Sequence, residues 1–316
     1  MGHDRRRRHP RETLGVRRRL ACALAVAMLA TVSACNGSST PPGQSESPGL
    51  RVASFDFLES ELLAEVYAQA AERAGVTVVR LGAVGPREVL VPAMRNDHVD
   101  LVAEYVGSAL RFAGVEDPPD DPTVAASLLG DRVAVYGIGV LAPSAAVDAN
   151  VFVVSAETAR NHDLESVSDL SGASLDRFGG PAECPDRPLC LVGLRDRYGV
   201  SFETFIAQPS LSFTAEALRR DEIDVGVMFS TSPELDAPDL VVLTDDRHLQ
   251  APENVLPMIR LPALERWGPG LERTLDRVSE GLTTHELRRL NGQVADGGAV
   301  AEVARQWLDA LERSSG

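Results

Sequence analysis

The sequence predicts an α/β protein made of two strand–helix blocks. Three observations carry this. Residues 50–104 alternate short apolar runs with segments of helical period, in the order strand, helix, strand, helix, strand, the pattern of a parallel, doubly wound sheet. The pattern restarts near residue 151. One local arrangement also occurs twice: Asn96-Asp97-His98-Val99-Asp100-Leu101 leads to Tyr105, and Arg220-Asp221-Glu222-Ile223-Asp224-Val225 leads to Phe229.

Residues 50–55 (LRVASF) read as a short buried strand. Leu58, Leu62, Leu63, Val66, Ala70 and Ala74 then recur at helical spacing, and Gly75 supplies the stop. Residues 76–81 (VTVVRL) form a second strand, 86–95 a helix and 99–104 (VDLVAE) a third strand. Right-handed crossovers put helices on both faces of such a sheet. In the second block, 151–154 (VFVV) reads as a strand and 156–161 as a helix, with the Ser168-Asp169-Leu170 turn beyond it. Residues 214–220 are helical and 223–228 (IDVGVM) are again a strand. A strand at 241 (VVL) precedes a mostly helical end, 262–312. In each copy of the repeated arrangement an Asp opens a strand and an aromatic lies five residues later. Ser108 follows the first copy, Ser230 and Thr231 the second. Open α/β sheets bind ligands at the C-terminal ends of strands, where these side chains stand; two unrelated core aromatics are the other reading.

Ahead of the blocks, Arg5, Arg6, Arg7, Arg8, Arg11, Arg17, Arg18 and Arg19 precede an apolar run at 20–32 (LACALAVAMLATV) and the sequence Val32-Ser33-Ala34-Cys35. A basic start, a short apolar stretch and small residues describe an export signal, too short for a spanning helix. The cysteine after V-S-A resembles a bacterial lipobox, in which it is acylated and becomes the mature N-terminus. An ordinary signal with an incidental cysteine is the alternative. Residues 1–34 are thus read as signal and 35–49, with its NGSSTPPGQSESPG run, as a flexible linker. The remainder is expected outside the cytoplasm, lipid-anchored to the cell membrane through Cys35.

The chain has 316 residues, net charge −15 and no lysine, all 31 of its basic residues being Arg. Residues 1–34 contribute +6, which leaves about −21 beyond them. Such a surface disfavours a phosphate backbone, so nucleic acid is excluded as a partner. Cys184 and Cys190, in PAECPDRPLCLVG, are expected as a disulfide, since two nearby cysteines outside the cytoplasm pair more readily than they hold metal. No further His or Cys lies near enough for a zinc site, so no metal or cofactor is expected. G-x-S-x-G, H-E-x-x-H and the phosphate-binding loop are all absent. His98, His162, His248 and His285 stand alone, and Asp120-Asp121 and Asp245-Asp246 read as solvated loop charges. No enzyme is indicated.

Six ordered pieces between about 50 and 310 resemble the glycine betaine/choline (quaternary ammonium) substrate-binding proteins of ABC transporters. They are FLESELLAEVYAQAAERAG, VDLVAEYVGSAL, SAETARNHDLESVSDLS, AEALRRDEIDVGVMFSTSPEL, DLVVLTDDRHLQAPENVLPMIR and LTTHELRRLNGQVADGG. The resemblance implies a two-lobed type II periplasmic-binding-protein (venus flytrap) fold, with lobe one at 50–146 and 232–316 and lobe two at 147–231. It implies a small solute held between the lobes, a membrane permease as partner, and a protein acting as a monomer. The family cages its ligand with four aromatics, because cation–π attraction holds a quaternary ammonium. Carried over, the four positions fall on Tyr105, Asn150, Phe229 and Glu253, so only two remain aromatic. Asp148 and Ser108 match polar positions near the ligand, and Ser230 and Thr231 add hydroxyls. Asp148, Asn150 and Glu253 are expected to supply polar specificity for a small cation or zwitterion, with Arg187 facing a ligand carboxylate. A ligand-sensing lipoprotein uncoupled from transport is the alternative.

Overall fold

The computed structural model describes residues 49–314. The export signal, Cys35 and nearly all of the linker fall outside the described residues. Two five-stranded sheets organise the chain. The first takes β1 (Leu50–Ser54), β2 (Val78–Ala83), β3 (Leu101–Tyr105), β4 (Ile138–Val140) and β10 (Val255–Arg260), in the order β2-β1-β3-β10-β4. The second takes β5 (Asn150–Ser155), β6 (Arg177–Gly180), β7 (Thr204–Ala207), β8 (Val225–Phe229) and β9 (Leu240–Val242), in the order β7-β6-β8-β5-β9.

The two sheets have one plan. In each, three neighbouring strands run parallel: β1 with β2 and β3, and β6 with β7 and β8. The fourth strand of each runs antiparallel, β10 against β3 and β4, and β5 against β8 and β9. The strand–helix alternation predicts a parallel, doubly wound sheet, and the antiparallel fourth strand of each sheet departs from that pattern. β3 and β8 end at the cleft, whereas β10 and β5 start there, because the chain has just crossed from the other sheet. The crossings are residues 141–149 and 243–254. β9 pairs with β5 in the second sheet, so the chain returns to the first sheet at β10 and not at residue 232 as expected.

Helices cover the sheets where the apolar spacing places them. In α1 (Leu58–Arg73) the buried face is Leu62, Leu63, Val66, Tyr67, Ala70 and Ala71, and Gly75 follows the helix at φ +83°. Tyr67 is fully buried, with its hydroxyl 3.0 Å from Ser279 Oγ. α2 (Arg87–Arg95), α3 (Val106–Phe112) and α4 (Pro122–Ala134) follow in the first lobe. Asp121 caps α4 by accepting from the Thr123 and Val124 amides at 2.9 Å, so it is a helix cap and not a merely solvated charge. α5 (Ala156–His162), the one-turn α6 (Leu191–Gly193) and α7 (Leu211–Arg219) serve the second sheet. α8 (Leu261–Trp267), α9 (Pro269–Gly281), α10 (Thr284–Ala295) and α11 (Val300–Ser314) make the helical end, packed on the first lobe through Leu271, Leu275, Leu287, Trp307 and Leu308. The second sheet is covered on both faces. One cluster gathers around Phe152, Phe178 and Leu194, the other around Val153, Leu218 and Met228.

The repeated arrangement in the sequence is a repeated ion pair in space. Arg51 of β1 donates from Nε and Nη2 to Asp100 at 2.8 and 2.7 Å, and Asp100 also accepts the Arg51 amide at 2.9 Å. Arg177 of β6 does the same with Asp224: Nη2 at 2.5 Å and the amide at 2.8 Å. In both copies a second guanidinium nitrogen reaches the carbonyl of an Asp at positive φ, Asp97 (63°) or Asp221 (54°). Asp100 is buried and Asp224 less so. Breaking a buried pair strands the remaining charge. Asp100→Ala is therefore expected to lose about 2–4 kcal/mol in urea denaturation, and Asp224→Ala about half that. Equal, negligible losses at both positions would show that the pairs do not hold the sheets.

Candidate functional site

The two crossings lie side by side and form the hinge. Val147 bridges Asn254 in antiparallel fashion, the Asp148 amide donates to the Glu253 carbonyl at 3.0 Å, and the Val255 amide donates to the Ala146 carbonyl at 2.9 Å. The Asn254 side chain donates to the Ser144 carbonyl at 2.8 Å. The end of β8 joins them. Ser230 Oγ donates to the Val147 carbonyl at 2.6 Å and accepts the Ala149 amide at 3.0 Å. Ser230 thus spends its hydroxyl on the hinge backbone. Helix α10 reaches across: Arg288 donates to the Ser230 carbonyl at 3.1 and 2.8 Å and to Asp236 at 2.9 Å.

Tyr105 closes β3 at this hinge. It is buried, and its hydroxyl donates to Glu59 Oε1 at 2.7 Å. Burial first, and Glu59 next, push the phenol well above its usual range. Its ring lies 6.1 Å from Phe57, which stacks on Phe55 at 5.9 Å; Arg87 sits over Phe55 at 5.1 Å. Phe57 is 42% exposed. The sequence reading passed over this ring, which sits just before α1 and looks like an ordinary flank. Arg87 is itself held by Glu104 at 2.7 and 3.0 Å.

Glu253 is neither a solvated charge nor open to a ligand. It is buried against the first turn of α3, where it accepts from the Ser108 amide at 2.9 Å and the Ser108 hydroxyl at 3.0 Å. Arg111 Nη1 stands 3.5 Å away. Burial raises this carboxyl, while the Ser108 bonds and Arg111 oppose the rise. Asp148 accepts from Thr231 Oγ1 at 2.9 Å. Burial, and then Glu59, push its carboxyl up to about 8, with Glu253 adding to the rise and Thr231 opposing it. Sequence reasoning also missed Glu59 and Asn291. Asn291 Nδ2 donates to Glu59 Oε2 at 2.6 Å and to the Thr231 carbonyl at 3.2 Å.

Beside this buried hinge opens a cavity of about 710 Å³, the size range of small-molecule sites. Its wall includes Arg111, Glu116 and Asp117 from the first lobe and Asn150, Arg187, Arg197 and Phe229 from the second. Of the expected ligand residues, Asn150, Phe229 and Arg187 face it. Tyr105, Ser108, Asp148, Ser230, Thr231 and Glu253 are instead joined in the hinge network. Phe229 is 43% exposed. Asn150 Nδ2 donates to the Leu189 carbonyl at 3.3 Å, and Gln250 Nε2 donates to the same oxygen at 3.0 Å. Leu189 belongs to a loop closed by the Cys184–Cys190 disulfide, with Cα atoms 5.4 Å apart. The disulfide expected from sequence is therefore formed. Asp245, read as a solvated charge, braces the wall by accepting the Leu249 and Gln250 amides at 2.9 and 2.8 Å and the Tyr198 hydroxyl. Among the described residues no group of three or more His, Cys, Asp or Glu is placed to hold a metal, and no helix is long and apolar enough to cross a membrane.

Two sheets of one plan, joined by paired crossings and flanked by a cavity, define a type II solute-binding protein. The family described as the substrate-binding domain of ABC-type glycine betaine transport systems (OpuAC) matches residues 48–310, and the chain belongs to it. Its members are substrate-binding proteins, not enzymes. The chain is 25% identical over 291 residues to the carnitine transport binding protein OpuCC of Listeria monocytogenes, covering 87% of this chain and 91% of that one. A crystal structure of a glycine betaine/carnitine/choline ABC transporter chain shares the fold with a TM-score of 0.75 at 23% identity, over 83% of this chain and 98% of that one. Apo YehZ from Escherichia coli gives 0.72 at 22%, over 84% and 99%.

The hinge geometry makes one test direct. A Cβ on Gly107 would lie 2.6 Å from the Pro252 carbonyl oxygen, 2.8 Å from Ala251 Cβ and 3.0 Å from Glu253 Oε1. Gly107→Ala is expected to cost about 1–3 kcal/mol by forcing the second crossing off α3. Denaturation midpoints matching the wild type would mean that the crossing is not seated there.

Proposed function

We propose that the protein captures a small cationic or zwitterionic solute of the glycine betaine, choline or carnitine kind between its lobes and hands it to an ABC permease. In this reading it works outside the cytoplasm as a monomer, tethered to the cell membrane by a lipid on Cys35. The observation that carries the ligand class is Phe229. Nearly half of this ring is exposed on the wall of the cavity, at the strand end that corresponds to Tyr105 in the other sheet. Phe57 adds a second exposed ring beside Tyr105. Aromatic faces attract cations, and the Glu59 carboxyl is bonded to the Tyr105 hydroxyl beside Phe57. Arg187 on the same wall offers a planar donor fork to a carboxylate at the other end of a zwitterion.

Two of the family's four cage positions hold Asn150 and Glu253. Their side chains are committed to the Leu189 carbonyl and to α3. The aromatic contribution therefore falls to Phe229, Tyr105 and Phe57. A thermal-shift series of the purified protein with glycine betaine, choline, carnitine and uncharged polyols tests this, since a ligand bound only by the folded state raises the melting temperature. Cationic or zwitterionic compounds are expected to raise it and uncharged polyols to leave it unchanged. Phe229→Ala, at an exposed position, is expected to fold normally and to weaken binding about 2- to 30-fold, the value of one cation–π face. Tyr105→Ala, at a buried position of the hinge network, is expected to lower the melting temperature of the ligand-free protein. A full response in the Phe229 variant would remove that ring from the site.

A further inference from the structure

The second-lobe wall of the cavity is assembled around one carbonyl. The chain from Cys184 to Cys190 is closed by the disulfide. Inside it the Arg187 amide donates to the Cys184 carbonyl at 3.2 Å and the Cys190 amide to the Arg187 carbonyl at 3.1 Å. Pro185 and Pro188 hold their own φ angles, so the loop is stiff in itself. Its seat is set from outside. The Leu189 carbonyl accepts Asn150 Nδ2 at 3.3 Å, from the first residue of β5, and Gln250 Nε2 at 3.0 Å, from the second crossing. Gln250 is itself held, since its amide donates to Asp245 at 2.8 Å. The loop also rests on Gly193 of α6, where a Cβ would stand 2.3 Å from the Pro188 carbonyl oxygen. Two amides and one close backbone approach thus fix the loop against the wall.

What the loop carries to the cavity is Arg187. This residue is exposed and lines the cavity. Among the described residues its guanidinium makes no ion pair or hydrogen bond, although Glu183 and Asp186 stand on the same loop. A stiff loop with a doubly held carbonyl therefore presents a guanidinium that has no protein partner. Such a planar fork matches a carboxylate with two parallel, charge-assisted bonds, and gains much less from a neutral hydroxyl.

We propose that the disulfide-closed loop sets the selectivity of the site for solutes that end in a carboxylate over those that end in a hydroxyl. Arg187 is the specificity-determining group, and Asn150 and Gln250 are positioning residues that act through the Leu189 carbonyl. This inference rests on the ligand reading above. Glycine betaine and choline share a trimethylammonium head and differ at the other end, carboxylate against alcohol. The ratio of their affinities therefore separates the Arg187 contact from everything that holds the head.

Titration calorimetry of the purified, disulfide-intact protein with glycine betaine, carnitine and choline measures that ratio, and ligand-free melts check that each variant folds. Arg187→Gln is expected to weaken glycine betaine and carnitine about 10- to 100-fold and choline less than about twofold. The double variant Asn150→Leu with Gln250→Met keeps the size of both side chains and removes both donors to Leu189. It is expected to weaken the two carboxylates about 3- to 30-fold, with choline again within about twofold. Gly193→Ala, which alters neither Arg187 nor the two amides, should give the same pattern by lifting Pro188. A merely structural role would lower all three affinities together. A ratio unchanged from the wild type in Arg187→Gln would overturn the role of Arg187. So would a selectivity lost in Arg197→Gln alone, since Arg197 is another guanidinium on the same wall. A ratio unchanged in both the double variant and Gly193→Ala would overturn the positioning role. A wild type that binds none of the three solutes would overturn the ligand reading and this inference with it, whereas tight binding with an unmoved ratio overturns this inference alone.

Discussion

Each sheet is pinned by an arginine near the start of one of its strands. Arg51 and Arg177 sit one residue before the positions at which their strands begin to pair with β3 and β8: Val52 with Leu101, and Phe178 with Val225. Each guanidinium holds the Asp that precedes the partner strand and the carbonyl of an Asp three residues earlier. The left-handed backbone at Asp97 and Asp221, which short polar residues tolerate better than others, turns that carbonyl toward the arginine. A buried ion pair contributes little net stability over an apolar substitute. What it does fix is register. A slip of one residue would turn every side chain of a strand to the other face, and Tyr105 and Phe229 stand five residues downstream of the pinned aspartates. Pinning the start of the strand therefore decides which way the aromatic at its end points. The same device in both lobes places one ring from each at the cleft.

The hinge obeys a second constraint, that every buried carboxylate needs donors. Glu253 takes the amide and hydroxyl of Ser108 at the start of α3. Glu59 takes Tyr105 and Asn291. Asp148 takes Thr231. Most of these donors are neutral, so the negative charge is satisfied without being cancelled. The donors also come from different segments. Satisfying three carboxyls ties α1, α3, β3, α10 and both crossings into one block.

The strands and helices were legible because their signals are local. Apolar runs and the helical spacing of Leu62, Leu63, Val66 and Ala70 survive without tertiary context, and the Asp-to-aromatic repeat marked two strands and the rings at their ends, while the ion pairs behind it appear only in the fold. The antiparallel fourth strands were not legible, because strand direction depends on which lobe the chain arrives from. β9 was misplaced for the same reason: a three-residue strand carries no mark of the sheet it joins. Glu59 was hidden because an acidic residue in the first turn of a helix, here followed by Glu61, usually favours the helix dipole from the solvent side. Only the fold shows that one of the two faces inward. Phe57 was hidden because its value lies in standing 6.1 Å from Tyr105, a neighbour 48 residues away in sequence.

The loss of aromatics at 150 and 253 is coupled to the rest of the cleft. Asn150 pairs with Phe229 across β5 and β8 and donates to the Leu189 carbonyl, as does Gln250. That carbonyl is presented by the loop closed between Cys184 and Cys190, which also brings Arg187 to the wall. An aromatic at 150 has no amide to give Leu189, so the loop and the Asn belong together. Glu253 in turn occupies the start of α3, where a ring would leave the Ser108 amide without its acceptor. At 150 Gln250 would still hold the Leu189 carbonyl, but a ring at 253 would strand the Ser108 amide, at a cost of about 1–3 kcal/mol. This exceeds most of what one cation–π face returns at about 0.5–2 kcal/mol. The wall holds together as a unit: Phe229 stands beside Asn150, and the disulfide-closed loop carries Leu189 and Arg187.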